Sequence, residues 1–392
     1  MSRRLVSLCD WLPPDFGAVG QYSLVAARAA ARAGDQVILV GLSSNGNSRS
    51  VEEYGGGRLT IVRVVAPMYV KERWRERLRW TFWANLRLLR AAAPEIRDAD
   101  EILFTGAPPF MLSFITAANW IWRKRLVYRI TDFYPECLIA ALGREPLYLR
   151  LFLRFTCVLR RRIDQFQVLG LDQMRKLEAI GIPRARIVVR RDSSPVPFTG
   201  RERPVAMPEA IRGHAILLYS GNWGLAHDVG TFVDGYLRHH RQGSGRVALW
   251  LNAVGAGATQ VASLLRAAAV PFALTRPLPL DELAPLLITA DAHLITLKDT
   301  FVGYVMPSKV YGCIASRRPV LFVGSEQSDV ALLCQRASEL PWYRRVDVGN
   351  PDGVARALEE LAAMQPAGFM PPARLDRIRP ASESAQCRLK AG

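Results

Sequence analysis

Short apolar runs alternate with helical stretches along the chain. The first half opens with the apolar run "RLVSLCD", a proline–glycine loop "WLPPDFGAVGQ", an alanine-rich stretch "YSLVAARAAARAG" and a second run "DQVILVGL". Gly34 ends the alanine-rich stretch, as expected of a helix C-cap. The runs "RLTIVRVV", "EILFTG", "RLVYRIT" and "QFQVLG" predict further strands. Strands that alternate with helices indicate a parallel sheet covered by helices on both faces.

The alternation stops once and then restarts. Residues 191–213 carry four prolines without periodicity, which predicts a linker. Beyond it, "AILLYSG", "VALWLNAVG" and "AHLITL" predict strands with helices between them, and "VMPSKVYGCIASRRPVLFVG" predicts a turn, a short helix and a buried strand. The fold class is therefore α/β, with two doubly wound domains at 1–195 and 196–370. A tail, 371–392, could pack back on the first domain.

Composition narrows the class of protein. The chain has 392 residues, of which 50% are hydrophobic and 22% charged, as is typical of globular proteins. Six scattered cysteines without metal-ligand spacing argue for a reducing compartment and against a metal site. The N-terminal apolar run is too short for a signal-peptide core, and the longest apolar segment, 110–122, is too short to span a bilayer. We expect a cytoplasmic protein.

The net charge of +17 is concentrated in the first half. Residues 1–195 hold 31 basic and 18 acidic residues (31 − 18 = +13), and the remainder holds 21 and 17 (+4). Within this half, 71–93 and 147–163 combine helical periodicity with many arginines, which is typical of interfacial helices. Two core-packing helices with solvated arginines are the alternative. The predicted membrane contacts are Trp74, Arg75, Arg79, Trp80 and Trp83.

Two motifs in the second half are typical of anion binding. "LLYSGNWGLAHD" runs from an apolar strand into glycines, which let backbone N–H groups approach an anion. In "MPSKVYG", Lys309 stands at the start of a helix, where a cation opposes the helix dipole unless an anion is bound. Alone, each motif also suits an ordinary turn. The "WLPPDFGAVGQ" loop lacks the dinucleotide fingerprint, so a Rossmann dehydrogenase is disfavoured.

In their order, these segments resemble the GT-B glycosyltransferases, specifically the retaining family-4 group that uses nucleotide sugars. The matching segments are "WLPPDFGAVGQYSLVAARAAARAGDQVILV", "TGAPPF", "YRITDFYPECLIAAL", "LLYSGNWGLAHD", "LPLDELAPLLITADAHLITLKD" and "MPSKVYGCIASRRPVLFVG". The resemblance covers roughly residues 5–365. The similar proteins are bacterial enzymes that build surface polysaccharides, such as lipopolysaccharide or exopolysaccharide, on lipid carriers. The implied fold has two Rossmann-like domains that face each other across a cleft.

The resemblance also implies roles. The first domain would bind a lipid-linked glycan acceptor, and the second a nucleotide sugar, UDP-linked, as co-substrate, without a cofactor or metal. Asp132, Glu136 and Lys309 would be catalytic. The donor-binding residues would be Gly17, Gly221, Asn222, Gly224, His227, Asp228, Ser308, Lys309 and Tyr311. The protein would transfer a hexose with retention, as a peripheral protein on the inner face of the cell membrane.

Two departures keep rival functions open. The family commonly has glutamates where this chain has Tyr304 and Gly312, and the second of them usually holds the ribose. A nucleotide-sugar 2-epimerase of the same fold is one alternative, although it would need acid–base pairs. His227 is the one histidine in the glycine motif, where a helix cap is its plain structural role. A non-catalytic partner protein of this fold is another. Nucleic acid is disfavoured as a partner because no recognition motif for it is present.

Overall fold

The computed structural model describes residues 2–15, 17–67 and 74–364, except for the side chains of Trp74 and Arg77. The predicted tail, 371–392, lies outside the described residues. The chain forms two compact units, one of residues 1–195, 297–308 and 325–332 and the other of residues 196–296, 309–324 and 333–392. Each unit contains its own sheet.

The first unit is an α/β unit that begins with a strand. Its strands are β1 Arg4–Trp11, β2 Gln36–Ser43, β3 Ser48–Tyr54, β4 Gly57–Val65, β5 Glu101–Thr105, β6 Arg125–Ile130, β7 Gln165–Val168 and β8 Ile187–Val189. Its helices are α1 Ala18–Arg32, α2 Trp74–Ile96, α3 Met111–Trp122, α4 Glu136–Leu142, α5 Leu147–Arg160 and α6 Leu171–Ala179.

The strands of this unit form one sheet in the order β3-β4-β2-β1-β5-β6-β7-β8. All the described pairings are parallel except β3 with β4. Apolar side chains on the two faces of the sheet form two buried clusters, one including Val6, Leu8 and Phe104 and the other Leu39 and Leu59. This follows from the alternation of side chains along a strand that is covered on both faces.

The antiparallel strand β3 departs from the purely parallel sheet that the pattern predicted. Its sequence, "SRSVEEY", is polar and mostly exposed, so it has no apolar run to mark it. The turn at Gly55 and Gly56, where Gly56 has a φ of +127°, folds β3 back along β4. A glycine-rich turn of this kind makes a hairpin, and a short polar strand suits the edge of a sheet.

The second unit repeats the alternation of strand and helix. Its strands are β9 Ala215–Asn222, β10 Val247–Val254, β11 Phe272–Thr275, β12 Ala292–Thr296, β13 Val320–Val323 and β14 Tyr343–Val346. The remaining helices of the chain are α7 Gly230–Gln242, α8 Ala256–Ala267, α9 Leu283–Thr289, α10 Lys309–Ala315, α11 Asp329–Arg336 and α12 Pro351–Ala363. Short 3-10 turns lie at Arg184–Arg186, Glu209–Ile211, Leu280–Glu282 and Asp299–Phe301.

The sheet of the second unit has the order β11-β10-β9-β12-β13-β14, and its described pairings are parallel. The order reverses at β9, where the chain moves from one side of the sheet to the other. Ligands of open α/β sheets bind beyond the carboxyl ends of the strands at such a switch point. The end of β9 is therefore where a site is expected in this unit.

No helix within the described part of the chain is long and apolar enough to cross a membrane.

Candidate functional site

The glycine loop of the second unit begins at the carboxyl end of β9. Gly221 has a φ of +111°, a conformation that a residue with a Cβ adopts only under strain, and the residues from Gly221 to Gly224 turn the chain away from the strand. Trp223, a residue of this loop, is fully buried in the core of the second unit and fixes the loop to it. Trp223 receives a hydrogen bond at its carbonyl from Gly257 and donates through its backbone N–H to Val254. The tryptophan thus anchors the loop.

Lys309, the first residue of α10, lies against the aromatic ring of Tyr219 in β9. Its Nζ is 3.0 Å from the ring centroid, is buried, and has no hydrogen-bond partner in the structure. Tyr219 also donates through its hydroxyl to the carbonyl oxygen of Asn222 at 3.2 Å. One buried tyrosine therefore touches both the glycine loop and the lysine that were predicted to bind the same anion.

The environment of Lys309 disfavours its charge. Burial of the amine lowers its pKa well below the ordinary value for lysine. A ring face attracts an ammonium group but supplies less stabilisation than water or an anion. Among the described residues no acidic side chain pairs with this buried amine, and a phosphate group would supply the opposite charge.

His227 and Asp228 follow the glycine loop and have structural contacts. The Nδ1 atom of His227 is hydrogen-bonded to the carbonyl oxygen of Thr296, and its ring meets Tyr219 edge-on at 5.9 Å. The Oδ1 atom of Asp228 accepts a hydrogen bond from the N–H of Phe232 in the first turn of α7. The cap that we considered for His227 is therefore made by Asp228. Donor binding by either residue stays a prediction.

Around α10, Ser308 and Tyr311 flank Lys309. The carbonyl oxygen of Ser308 accepts a hydrogen bond from the hydroxyl of Tyr22 in α1 at 3.2 Å. Tyr311 is buried. At Gly312 a Cβ would lie 3.1 Å from the side chain of Leu287. A larger side chain at Gly312 would therefore require Leu287 to move.

In the first unit, the loop after β1 turns closely into α1. Gly17 is the N-cap residue of α1, and its carbonyl accepts a hydrogen bond from the N–H of Gln21. At Gly20 a Cβ would lie 1.8 Å from the carbonyl oxygen of Trp11, so only glycine fits there. This close approach explains the second glycine of the motif. The role of Gly17 in donor binding stays a prediction.

Asp132 and Asp10 both lie at the carboxyl edge of the first sheet, after β6 and near the end of β1. The strand between them, β5, ends at Thr105. Asp132 is accessible to solvent, yet the protein atoms around it displace enough water to raise its pKa to about 6. Asp10 is partly buried, and its Oδ1 atom has no hydrogen-bond partner among the described residues. Desolvation, with a smaller contribution from the charge of Asp132, raises its pKa to about 7. The sequence analysis did not identify Asp10.

We expect Asp10→Asn to stabilise the protein at neutral and higher pH. Because the folded-state pKa lies above the ordinary value, the folded protein binds more protons than the unfolded chain between about pH 4 and 7, and its stability falls as the pH rises through that window. Removing the carboxylate should raise the free energy of unfolding by on the order of 2 kcal/mol near pH 8 and change it little near pH 4. Urea unfolding across this pH range measures the effect. The exposed Asp234→Asn is the control, and equal shifts in both variants would contradict the assignment.

Glu136, the first residue of α4, forms a buried ion pair with Arg160 of α5. The two terminal nitrogens of Arg160, Nη1 and Nη2, both donate to the carboxylate of Glu136. The bond from Nη2 to Oε2 measures 3.0 Å. The same guanidinium donates to the carbonyl oxygen of Tyr134 at 3.2 Å and lies 5.2 Å from the centroid of the Phe133 ring. The pair therefore holds the segment that carries Asp132. A catalytic role for Glu136 stays a prediction.

The predicted membrane contacts differ in their surroundings. Trp80 stacks on Trp11 with ring centroids 5.9 Å apart and donates through Nε1 to the carbonyl oxygen of Pro67. Trp83 is half exposed, and Arg75 and Arg79 are exposed. The side chain of Trp74 lies outside the described residues.

Sequence reasoning missed Tyr219 and Asp10 because it assigned no chemistry to the strand part of "LLYSGNWGLAHD" or to the residue before "WLPPDFGAVGQ". Tyr219 is one aromatic residue within an apolar strand, and only its contact with Lys309, ninety residues later, distinguishes it. Asp10 left a detectable signal, since an aspartate at the carboxyl end of an apolar first strand is expected at the edge where parallel-sheet ligands bind. The same rule located the glycine loop after β9.

Comparisons with known proteins agree with this architecture. No family model matches the chain. It is 22% identical over 277 residues to a protein of Pseudomonas aeruginosa described as "Probable glycosyltransferase WbjE", covering 68% of this chain and 67% of that protein. Two solved structures are similar in fold. One is an alpha,alpha-trehalose-phosphate synthase (UDP-forming) from Burkholderia xenovorans in complex with glucose-6-phosphate, with a TM-score of 0.59, 14% identity and 95% of each chain covered.

The other structure is Alr3699/HepE from Anabaena in complex with UDP-glucose, with a TM-score of 0.58 and 10% identity over 91% of this chain and 89% of that one. At such identities the likeness concerns the fold. The predicted fold class, α/β with two Rossmann-like domains of the GT-B type, is confirmed.

Proposed function

We propose that this protein is a glycosyltransferase that uses a nucleoside-diphosphate sugar, UDP-linked, as donor. The observation that carries the proposal is the contact of buried, unpaired Lys309 with Tyr219, whose hydroxyl bonds the glycine loop at Asn222. A cation and a glycine loop beyond a strand end suit a diphosphate, because backbone N–H groups and an ammonium both bind phosphate oxygens. The likeness to a described glycosyltransferase and to a structure with bound UDP-glucose supports the same class.

In the proposed donor site, Gly221, Asn222 and Gly224 lie beneath the diphosphate and Lys309 neutralises its charge. His227, Asp228 and Tyr311 of the same unit complete the set of donor-binding residues. As the sugar leaves, negative charge grows on the diphosphate, and a cation placed there stabilises the transition state more than the ground state. The transfer proceeds with retention of anomeric configuration and without a metal, and the leaving phosphate takes the proton of the acceptor hydroxyl.

We propose that the predicted first domain, 1–195, binds the acceptor and that the predicted second domain, 196–370, binds the donor. Asp132 accepts a hydrogen bond from an acceptor hydroxyl, for which its accessible carboxylate at the carboxyl edge of the first sheet is suited. The acceptor is a lipid-linked glycan of cell-surface polysaccharide synthesis. This choice of acceptor is supported by the surplus of basic residues in the first half of the chain, because positive charge suits a phosphorylated carrier at an anionic membrane.

The proposal is tested by nucleotide binding. We expect UDP to raise the melting temperature by a few degrees at concentrations near one hundred times its Kd, because a ligand that binds only the folded state adds about 2.7 kcal/mol of stability there. Thermal shift with UDP, GDP, CMP and their sugars measures it. No response to any of them would contradict the donor site and favour a non-catalytic partner protein.

A second measurement separates transfer from epimerisation. Incubation of a UDP-sugar without any acceptor should leave the sugar configuration at C2 unchanged by NMR. Epimerised sugar in that sample would replace the transferase proposal by the epimerase.

Asp132→Asn should retain UDP binding while transfer to a lipid-linked acceptor falls.

A further inference from the structure

Helix α5 has four apolar side chains on its outer side, in addition to those that pack inward. Leu147, Leu151, Phe155 and Val158 recur at helical spacing and so share one side of the helix, where each is more than half exposed. The buried residues of α5 are Leu149, Thr156 and Arg160, and the last is used in the ion pair with Glu136. A surface helix of a globular protein normally buries its apolar stripe. In α5 this stripe lacks a covering layer in the part of the chain that the structure describes.

Exposed apolar side chains also lie on α3, which packs against α5, and on α2, which packs against α3. Trp120 and Ile121 of α3 are 69% and 83% exposed, and Phe82 and Trp83 of α2 are half exposed. The ring of Phe82 meets that of Phe114 in α3 at 5.4 Å, which joins the two helices. Of the aromatic side chains that the structure describes, every exposed one lies on α2, α3 or α5. Such a concentration marks an interaction surface, because exposed hydrophobic residues are normally scattered.

This surface is also strongly basic. Residues 147–163 contain five arginines and no acidic residue. A groove of about 580 Å³ runs along α5, with Arg150, Arg154 and Arg161 around it, Glu145 as its single acidic residue, and Leu153, Cys157 and Val158 as its apolar part. Glu145 is within 3.4 Å of Arg150. Three guanidinium groups beside exposed leucine and phenylalanine match a ligand that has both an anionic and an apolar part.

We propose that α5, with the exposed apolar side chains of α3 and α2, is the face by which this protein docks on an anionic lipid bilayer, with lipid phosphates in the Arg150–Arg154–Arg161 groove. Exposed aromatic and leucine side chains enter the headgroup boundary, and arginines pair with the phosphates above it. A second copy of this face would bring the same arginines together and be repelled. A nucleic acid would match the arginines but would leave the apolar stripe of α5 in water.

The inference deepens the acceptor part of the proposed function and rests on it, because a lipid-linked acceptor requires the enzyme to reach the membrane. It assigns the centre of the contact to α5, whereas the tryptophans predicted from the sequence belong to α2. Vesicle binding is measured without donor or acceptor, so that it is independent of catalysis.

The experiment compares co-sedimentation with vesicles of phosphatidylcholine alone and of phosphatidylcholine with phosphatidylglycerol. We expect the wild type to bind the anionic vesicles and to be released by salt. Arg150→Gln/Arg154→Gln/Arg161→Gln should weaken this binding about a hundredfold, and Leu151→Gln/Phe155→Gln about tenfold or more. All five side chains lie at the surface, so the fold is retained, which circular dichroism checks.

Matched controls use the second unit. Arg201→Gln/Arg203→Gln/Arg241→Gln removes three exposed arginines, and Leu264→Gln/Leu274→Gln removes two exposed leucines. We expect both control proteins to bind vesicles as the wild type does.

Three results would overturn the inference. The first is absence of wild-type binding to anionic vesicles, or equal binding by the α5 variants and the controls. The second is an RNA or DNA duplex that binds the wild type and the Leu151→Gln/Phe155→Gln variant equally and displaces the vesicles. The third is a dimer in light scattering that the α5 variants dissociate. UDP binding by the same samples separates this inference from the proposed function: retained UDP binding with no vesicle binding rejects the docking face alone.

Discussion

Replacement of Lys309 by alanine should weaken the binding of UDP about ten- to a hundredfold and lower the rate of sugar transfer at least as much. A hydrogen bond between an ammonium group and a phosphate contributes about 1.5–3 kcal/mol, which corresponds to this range of affinity. The loss in transfer should exceed the loss in binding, because negative charge on the diphosphate increases as the sugar leaves. Isothermal titration calorimetry with UDP measures the first effect and a transfer assay the second.

The control for Lys309 is Lys124→Ala, which makes the same change just before the amino end of β6. The fold should tolerate Lys309→Ala well, since the variant removes a buried, unpaired amine. Equal affinity for UDP in Lys309→Ala and the wild type would reject Lys309 as a phosphate ligand.

A second prediction for this site concerns proton uptake when UDP binds beside Lys309 and Tyr219. Burial lowers the pKa of the Lys309 amine, and a bound diphosphate would raise it again. UDP binding should therefore take up protons at any pH where part of the free amine is deprotonated. Calorimetry in buffers with different ionisation enthalpies measures the uptake, and Lys309→Met should abolish it. Tyr219→Phe keeps the ring beneath the amine and should retain the proton uptake. Tyr219→Leu removes the ring from beneath the amine. Unchanged uptake in Lys309→Met would assign the proton to another group.

The second large effect is expected at the buried pair of Glu136 and Arg160. Glu136→Leu or Arg160→Met alone should lower the free energy of unfolding by about 3–5 kcal/mol, because each leaves an unpaired charge in the core. The double variant should recover most of that loss, since two apolar side chains replace the pair. Urea denaturation of the four proteins gives the coupling between the two residues.

The double variant also separates the two roles considered for Glu136. If Glu136 is catalytic, the stable double variant binds UDP and transfers no sugar. If the pair only positions the segment from Asp132 to Glu136, transfer falls partially and Asp132→Asn remains the more severe change. Additive destabilisation by the two single changes would contradict the ion pair itself.

Much of the fold follows from local patterns. The apolar runs of β1, β2, β9, β10 and β12 predicted strands because a strand covered on both faces must be apolar throughout. The edge strands β3, β8, β11 and β14 were missed, because short or polar strands leave little periodic signal. Tertiary pairing with a neighbouring strand determines their conformation.

In the candidate sites, too, some features could be predicted from short sequence segments and others depend on tertiary contacts. The glycine motif and Lys309 were visible because unusual φ angles and a cation at a helix start are properties of short segments. The contact between Lys309 and Tyr219 joins residues ninety positions apart, and the raised pKa of Asp10 depends on how much water the surrounding chain displaces. Neither property belongs to a short segment.

By itself the sequence determined two α/β domains, an order of motifs that resembles the GT-B glycosyltransferases, and an excess of positive charge in the first half. Only the tertiary structure decided which side of α5 is buried. Periodicity shows that a helix has an apolar stripe, but the direction of that stripe depends on the neighbouring elements. Here Glu136 fixes Arg160 inward, and the rigid helix then carries Leu151 and Phe155 outward on its other side.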